Sequence, residues 1–203
     1  MSVNATPPGW ADVLLRACLT PRDSDSVSGD LLEQYRESVR PARGRRRADI
    51  WYVTQVLGFV WRNARLWAAL SAAAFIARTA LDWLVPPADF HARANVSTVL
   101  GAGIVLLAGF WAASRSGSLA AGPVIGVATA ALAAPMEVMG ALTLLAGRHD
   151  PMTMAAIRGS GGLEEVLALP FLMVLPGIVL GTLGGLLGAA VKRRSHGSLR
   201  RLE

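Results

Sequence analysis

Little in this chain offers chemistry. Cysteine occurs once in 203 residues, at Cys18, which excludes an intrachain disulfide and a cysteine-based zinc centre. The three histidines, His91, His149 and His196, stand far apart without the spacing of metal ligands. Charged residues make up only 17% of the chain, where an ordinary soluble domain carries about a quarter. Among the 20 basic residues Lys192 is the only lysine. The first nine residues lack a basic stretch followed by an apolar one, so no cleaved signal peptide is expected. Ser160, in Gly159-Ser160-Gly161-Gly162, lacks the flanks of a nucleophile elbow, and no phosphate-binding loop is present. The expectation is a protein without a catalytic centre, a metal or a cofactor.

What is present is apolar. Hydrophobic residues reach 53%, and the mean hydropathy is +0.42. The excess is uneven. Residues 1–65 hold ten Arg and seven acidic residues, whereas the 126 positions of 66–191 hold five Arg and six acidic residues. This is a soluble head on a membrane body.

A hydrocarbon core about 30 Å thick needs roughly 20 apolar helical residues. Four stretches meet that length, 66–85, 96–114, 118–147 and 166–191. They predict an all-α membrane protein with a four-helix transmembrane bundle. An even count places both termini on one side. The clusters Arg40, Arg43, Arg45, Arg46, Arg47 and Lys192, Arg193, Arg194, Arg200, Arg201 select the cytoplasm as that side, in contact with anionic lipid rather than nucleic acid. The net charge of +6 is thereby assigned to topology.

The head divides further. In 1–48, Trp10, Val13, Leu14, Ala17 and Cys18 follow the spacing of one helical face. Thr20-Pro21 then forms an N-cap followed by proline at the first helical position. A second helix turns Val27, Leu31, Leu32, Tyr35 and Val39 inward and ends before Pro41, and 41–47 forms a basic linker. From Asp49 to residue 65 a third helix carries Ile50, Trp51, Val53, Val56, Leu57, Val60 and Trp61. It either lies in the interface or runs into the first span, with Trp51, Tyr52, Trp61 and Trp67 at headgroup level. Trp10, Leu14, Leu31 and Tyr35 are the expected mini-core. Residues 192–203 form a basic tail.

Four blocks in the head resemble the bacterial permease prefix domain. They are Pro7-Pro8, Leu14-Leu15-Arg16, Gly29-Asp30-Leu31-Leu32-Glu33-Gln34-Tyr35 and Trp51-Tyr52-Val53-Thr54-Gln55-Val56-Leu57. The resemblance covers about residues 7–60, and Val53 and Thr54 depart from the family pattern. It implies a prefix ahead of a short membrane bundle in the bacterial inner membrane, with a protein partner docking at the prefix. It supplies no catalytic residues and does not carry over transport.

Inside the spans, Arg78, Asp82 and Glu137 are costly, about 2.5–3.5 kcal/mol each on insertion scales. Arg78 and Asp82 share a helix face at a spacing of four, and the depths of Arg78 and Glu137 allow a pair between the first and third spans. Such a cluster serves either as a structural ion pair or as a proton- or ion-linked site. Gly177, Gly181, Gly184, Gly185 and Gly188 place small residues on the last span with GxxxG spacing, for close packing within the chain or in a homo-oligomer. Pro123, Pro135, Pro170 and Pro176 are expected to bend the third and fourth spans where they lie away from helix ends.

Overall fold

The computed structural model describes residues 6–85, 90–147, 168 and 170–199. The expected loop 148–165, with His149 and Ser160, lies outside the described residues, as do 86–89 and 200–203. Among the described residues the structure is helical, with no strand. Its elements are α1 (Gly9–Cys18), α2 (Pro21–Gln34), a π-helical turn (Tyr35–Val39), α3 (Arg40–Arg43), α4 (Arg45–Leu84), α5 (Phe90–Ser116), α6 (Ala121–Gly147) and α7 (Val174–Leu199).

Three helical segments are long and apolar enough to cross a membrane: Asn95–Ser116, Ala121–Gly140 and Pro170–Arg193. The expected span 66–85 is the distal half of α4 and is not among them. Arg78 and Asp82 lie within it.

The head departs from expectation at Pro41. Thr20 caps α2, its hydroxyl accepting from the Asp23 amide at 3.3 Å, with Pro21 at the first position. The helix does not stop at Pro41, however. At Tyr35–Val39 the backbone widens to the π register, and the Arg40 amide bonds back to the Tyr35 carbonyl. Proline lacks a donor and its ring clashes with the carbonyl four residues earlier. The wider register relieves that conflict, so the helix runs on to Arg43. It ends at Gly44, where φ is +74°, a left-handed value that glycine adopts without steric cost.

From Gly44 the chain enters α4, a single helix of 40 residues, about 60 Å long at 1.5 Å per residue. The basic linker 41–47 is therefore two helix ends around one glycine. Along α4 the buried residues are Ala48, Tyr52, Val56, Val60, Ala64, Ala68 and Ala72, each four after the last. Four residues turn a helix about 400°, so the stripe drifts about 40° per step and about 240° overall. One helix thereby presents one side to the head and another to the bundle.

The head core consists of Ala11, Leu15, Leu19, Tyr35, Val39, Ala48, Tyr52 and Val56. It draws Leu15 and Ala11 from α1, not Trp10, which is 60% exposed, as Val13 is at 65%. The inward face of α1 is offset from the expected one, with Ala11 of α1 and Ala48 of α4 both fully buried in this core. Leu14 and Leu31 pack at the edge of this core.

Candidate functional site

Two tyrosines hold the head together. Tyr35 and Tyr52 are fully buried, and their rings meet edge to face with centroids 5.9 Å apart and planes at 81°. The Tyr35 hydroxyl donates to Asp49 Oδ1 at 2.6 Å, and the Tyr52 hydroxyl donates to Asp12 Oδ1 at 3.2 Å. Asp12 also pairs with Arg16 Nε at 2.9 Å, and Asp49 with Arg45 Nε at 3.9 Å. Burial first, and then the neighbouring aspartate, raises the pKa of both phenols, Tyr52 to about 12. Each is a neutral donor to a carboxylate at physiological pH. The network ties α1, the π turn and α4 into one unit.

The α7 glycines are used within the chain, on two faces. A Cβ on Gly181 would meet Gly122 O at 2.5 Å and Gly126 Cα at 3.0 Å, and a Cβ on Gly126 would meet Gly177 O at 2.5 Å. Gly122, Gly126 and Ala130 of α6 thus lie against Gly185, Gly181 and Gly177 of α7, antiparallel and backbone to backbone. On the second face, a Cβ on Gly184 would strike the Leu106 carbonyl, and one on Gly188 the Phe110 carbonyl. A Cβ on Gly109 of α5 would meet the Gly181 carbonyl oxygen as well, at 2.5 Å. Gly181 is therefore a node between three helices. Close backbone approach of this kind is how helices gain contact where lipid competes for apolar surface.

Of the charged residues within the 66–85 and 118–147 stretches, Glu137 has a described partner. Glu137 Oε1 accepts a hydrogen bond from the Ser71 hydroxyl at 2.9 Å, between α6 and α4. A Cβ on Gly140 would meet Ile76 Cγ1 at 2.5 Å, so the two helices run parallel and Glu137 is level with Ser71. Arg78 stands seven residues further along α4, about 10 Å of rise. No ion pair with a described residue reaches Glu137. The Asp82 side chain lies outside what the structure describes. Thr129 is fully buried on α6, and its hydroxyl has no hydrogen-bond partner among the described residues. It lies about 12 Å of rise from Glu137. Among the described residues no contact joins Glu137 to Thr129.

One end of the bundle forms a polar rim. There α5 ends at Ser116 and α6 begins at Ala121. Lys192, the only lysine, donates from Nζ to the Arg115 carbonyl at 3.0 Å, satisfying a helix C-terminus with a cation. The turn passes through Gly117 at φ +78°. Asn63 of α4 shares a small cleft here with Cys18, Thr20, Trp111, Arg115 and Ser116. Arg115 stacks over Trp111 at 5.1 Å, and Trp67 lies 6.4 Å from Trp111. Burial pushes the Cys18 thiol up to about 11, so at neutral pH it is protonated and a poor nucleophile. Among the described residues no cluster of His, Cys, Asp or Glu has the geometry to hold a metal ion.

No protein-family model matches this chain, no characterised protein matches it, and no solved structure matches it. The arrangement itself is the information. Reasoning from sequence named the α7 glycines but not their counterparts Gly109, Gly122 and Gly126, although the Gly122-to-Gly126 spacing was there to find. It named Glu137 but not Ser71, for which no sequence signal existed. Of the aromatic residues set at headgroup level, Trp61 and Trp67 flank the rim at Asn63, whereas Tyr52 lies in the head core and Trp51 packs against it.

Proposed function

We propose that this chain is a multi-pass protein of the bacterial inner membrane, crossing four times with both termini cytoplasmic. In this reading α4 supplies the first span over 66–85, and a four-helix transmembrane bundle anchors the head. The head is a non-enzymatic binding or regulatory module that docks a partner, in keeping with the resemblance to the permease prefix domain. The observation that carries this is the head itself, a helical core built on the same continuous helix that enters the bundle. The two longer blocks of that resemblance contain Tyr35 and Tyr52, which pack against each other in that core. The lipid bilayer is the partner of the outer surface, where Val96, Val99, Leu107, Leu175, Val179 and Leu187 are each more than half exposed.

An accessory or oligomeric permease component is the second reading, favoured by one contact, the Ser71–Glu137 hydrogen bond inside the bundle. The glycines that would have supported a homo-oligomer are occupied by α5 and α6.

Co-purification from native membranes in mild detergent tests the choice. A regulatory protein is expected to accompany the intact chain and to be lost from the Tyr52→Ala variant. Recovery of an ATPase subunit instead, unaffected by that variant, would replace this reading with the transport one.

A further inference from the structure

The arginines at the start of α4 stand far along that helix from the polar rim. The polar rim sets one boundary of the apolar helices, and Asn63 marks its level on α4. Arg46 precedes Asn63 by seventeen residues of unbroken helix, which is about 25 Å of rise. With α4 standing along the membrane normal, as in the topology proposed above, that is about three Debye lengths at physiological salt, so headgroup charge is screened out at this distance. In that topology this helix carries the cluster away from the bilayer.

Nor do these charges serve the fold. Arg45, Arg46 and Arg47 occupy the first turn of α4, whose N-terminus has no side-chain cap. The helix dipole is positive there and disfavours cations. Only Arg45 has an acidic partner, Asp49. Arg43, Arg46 and Arg47 are exposed and form no ion pair with a described residue. Three guanidinium groups thus stand at the far tip of the head, on either side of Gly44. They are poised to make bidentate contacts with carboxylate or phosphate.

We propose that this tip, Arg43, Arg46 and Arg47, is the docking surface for an acidic segment of a partner protein. The proposal rests on the docking role assigned to the head above and names the chemistry of its occupant. Two observations favour carboxylates over a nucleic acid. Asp30, Glu33 and Glu37 are exposed on the helix leading to the tip, with Arg36 the only basic residue exposed among them. They confine the favourable surface to the tip, which fits a short acidic segment better than a long polyanion. A single strand is disfavoured further, because the nearby aromatic residues are unavailable for base stacking: Tyr35 and Tyr52 are fully buried and Trp51 packs against the core.

The test uses the full chain in phosphatidylcholine nanodiscs and fluorescence anisotropy of a labelled glutamate-rich peptide, with a DNA duplex of equal charge alongside. The peptide is expected to bind in a salt-dependent manner. The triple variant Arg43→Gln, Arg46→Gln, Arg47→Gln should weaken it about tenfold or more, and Arg62→Gln with Arg65→Gln less than about twofold. No binding to the wild type, or equal loss in both variants, would overturn the assignment of the tip. Tighter binding of the duplex would overturn the partner class. A partner that co-purifies equally with the wild type and the triple variant would refute the tip while leaving the docking role of the head intact. Failure of any partner to co-purify would refute that role first.

Discussion

Gly181→Leu is expected to destabilise the folded chain by about 3 kcal/mol or more, at or above the upper end for overpacked cores. The side chain would enter a site where backbone atoms of α6 already stand 2.5–3.1 Å from its Cβ. Neither neighbour can yield by a rotamer change, because the obstructing atoms are Gly122 O, Gly126 Cα and Gly122 C. Relief requires α6 to move outward, which also strips the Gly126–Gly177 contact. Gly103→Leu provides the control. A Cβ on that glycine would meet nothing within 4 Å, and the substitution should change stability by less than about 0.5 kcal/mol. Unfolding in mixed micelles, followed by circular dichroism, measures both. Equal tolerance of the two substitutions would mean that α6 and α7 do not meet at these glycines.

Tyr52→Ala carries the other large effect, and it is local. Removing a fully buried aromatic ring costs about 3–5 kcal/mol, and a core this small has little stability in reserve. The substitution also removes the edge-to-face contact with Tyr35 and the hydrogen bond to Asp12. The head should therefore unfold while the bundle persists. Hydrogen exchange read by mass spectrometry should show residues 9–43 losing protection and α5, α6 and α7 keeping theirs. Tyr52→Phe should be much milder, about 1 kcal/mol, since Asp12 retains Arg16. Unchanged protection in the head of Tyr52→Ala would refute the two-tyrosine core.

How much of this was readable in the sequence depended on the length scale of each signal. Apolar stretches of 19 residues or more are read from composition alone, and α5, α6 and α7 fall where such stretches lie. The Thr20-Pro21 start was legible because capping is local chemistry. The passage through Pro41 was not, since the π turn that accommodates it has no sequence signature apart from the proline itself. The inward side of α4 was hidden by its geometry. A stripe that drifts about 40° per step averages to nothing over the whole helix, so the residues looked apolar on every side. Burial of Ala11 in place of Trp10 is a tertiary choice, because both satisfy helical spacing and only the proximity of Ala48 decides between them. The surroundings of the arginine cluster were illegible for a related reason. Its role depends on whether 45–65 continues as one helix, and charge counting treats a rigid spacer and a short loop alike. At Glu137, depth matching pointed to the α4–α6 pair, where Ser71 donates to the carboxylate; that contact was not legible because a serine in an apolar stretch carries no signal of its own.

The continuity of α4 from Arg45 to Leu84, with one half outside the bilayer and one half within it, is the claim on which the rest depends. Spin labels on single cysteines, in a Cys18→Ala background, test it most directly. Arg46, Ile50, Leu57, Trp61, Leu66 and Leu70 are exposed along the helix and would each be replaced in turn. Collision with lipid-soluble oxygen and with a water-soluble nickel chelate then reports the depth of each site. Water accessibility is predicted for Arg46, Ile50 and Leu57, lipid accessibility for Leu66 and Leu70, and the crossover near Trp61. Lipid exposure at Arg46 and Ile50 would show that this helix lies in the interface, and water exposure at Leu66 and Leu70 would show that it does not enter the membrane; either result contradicts the account.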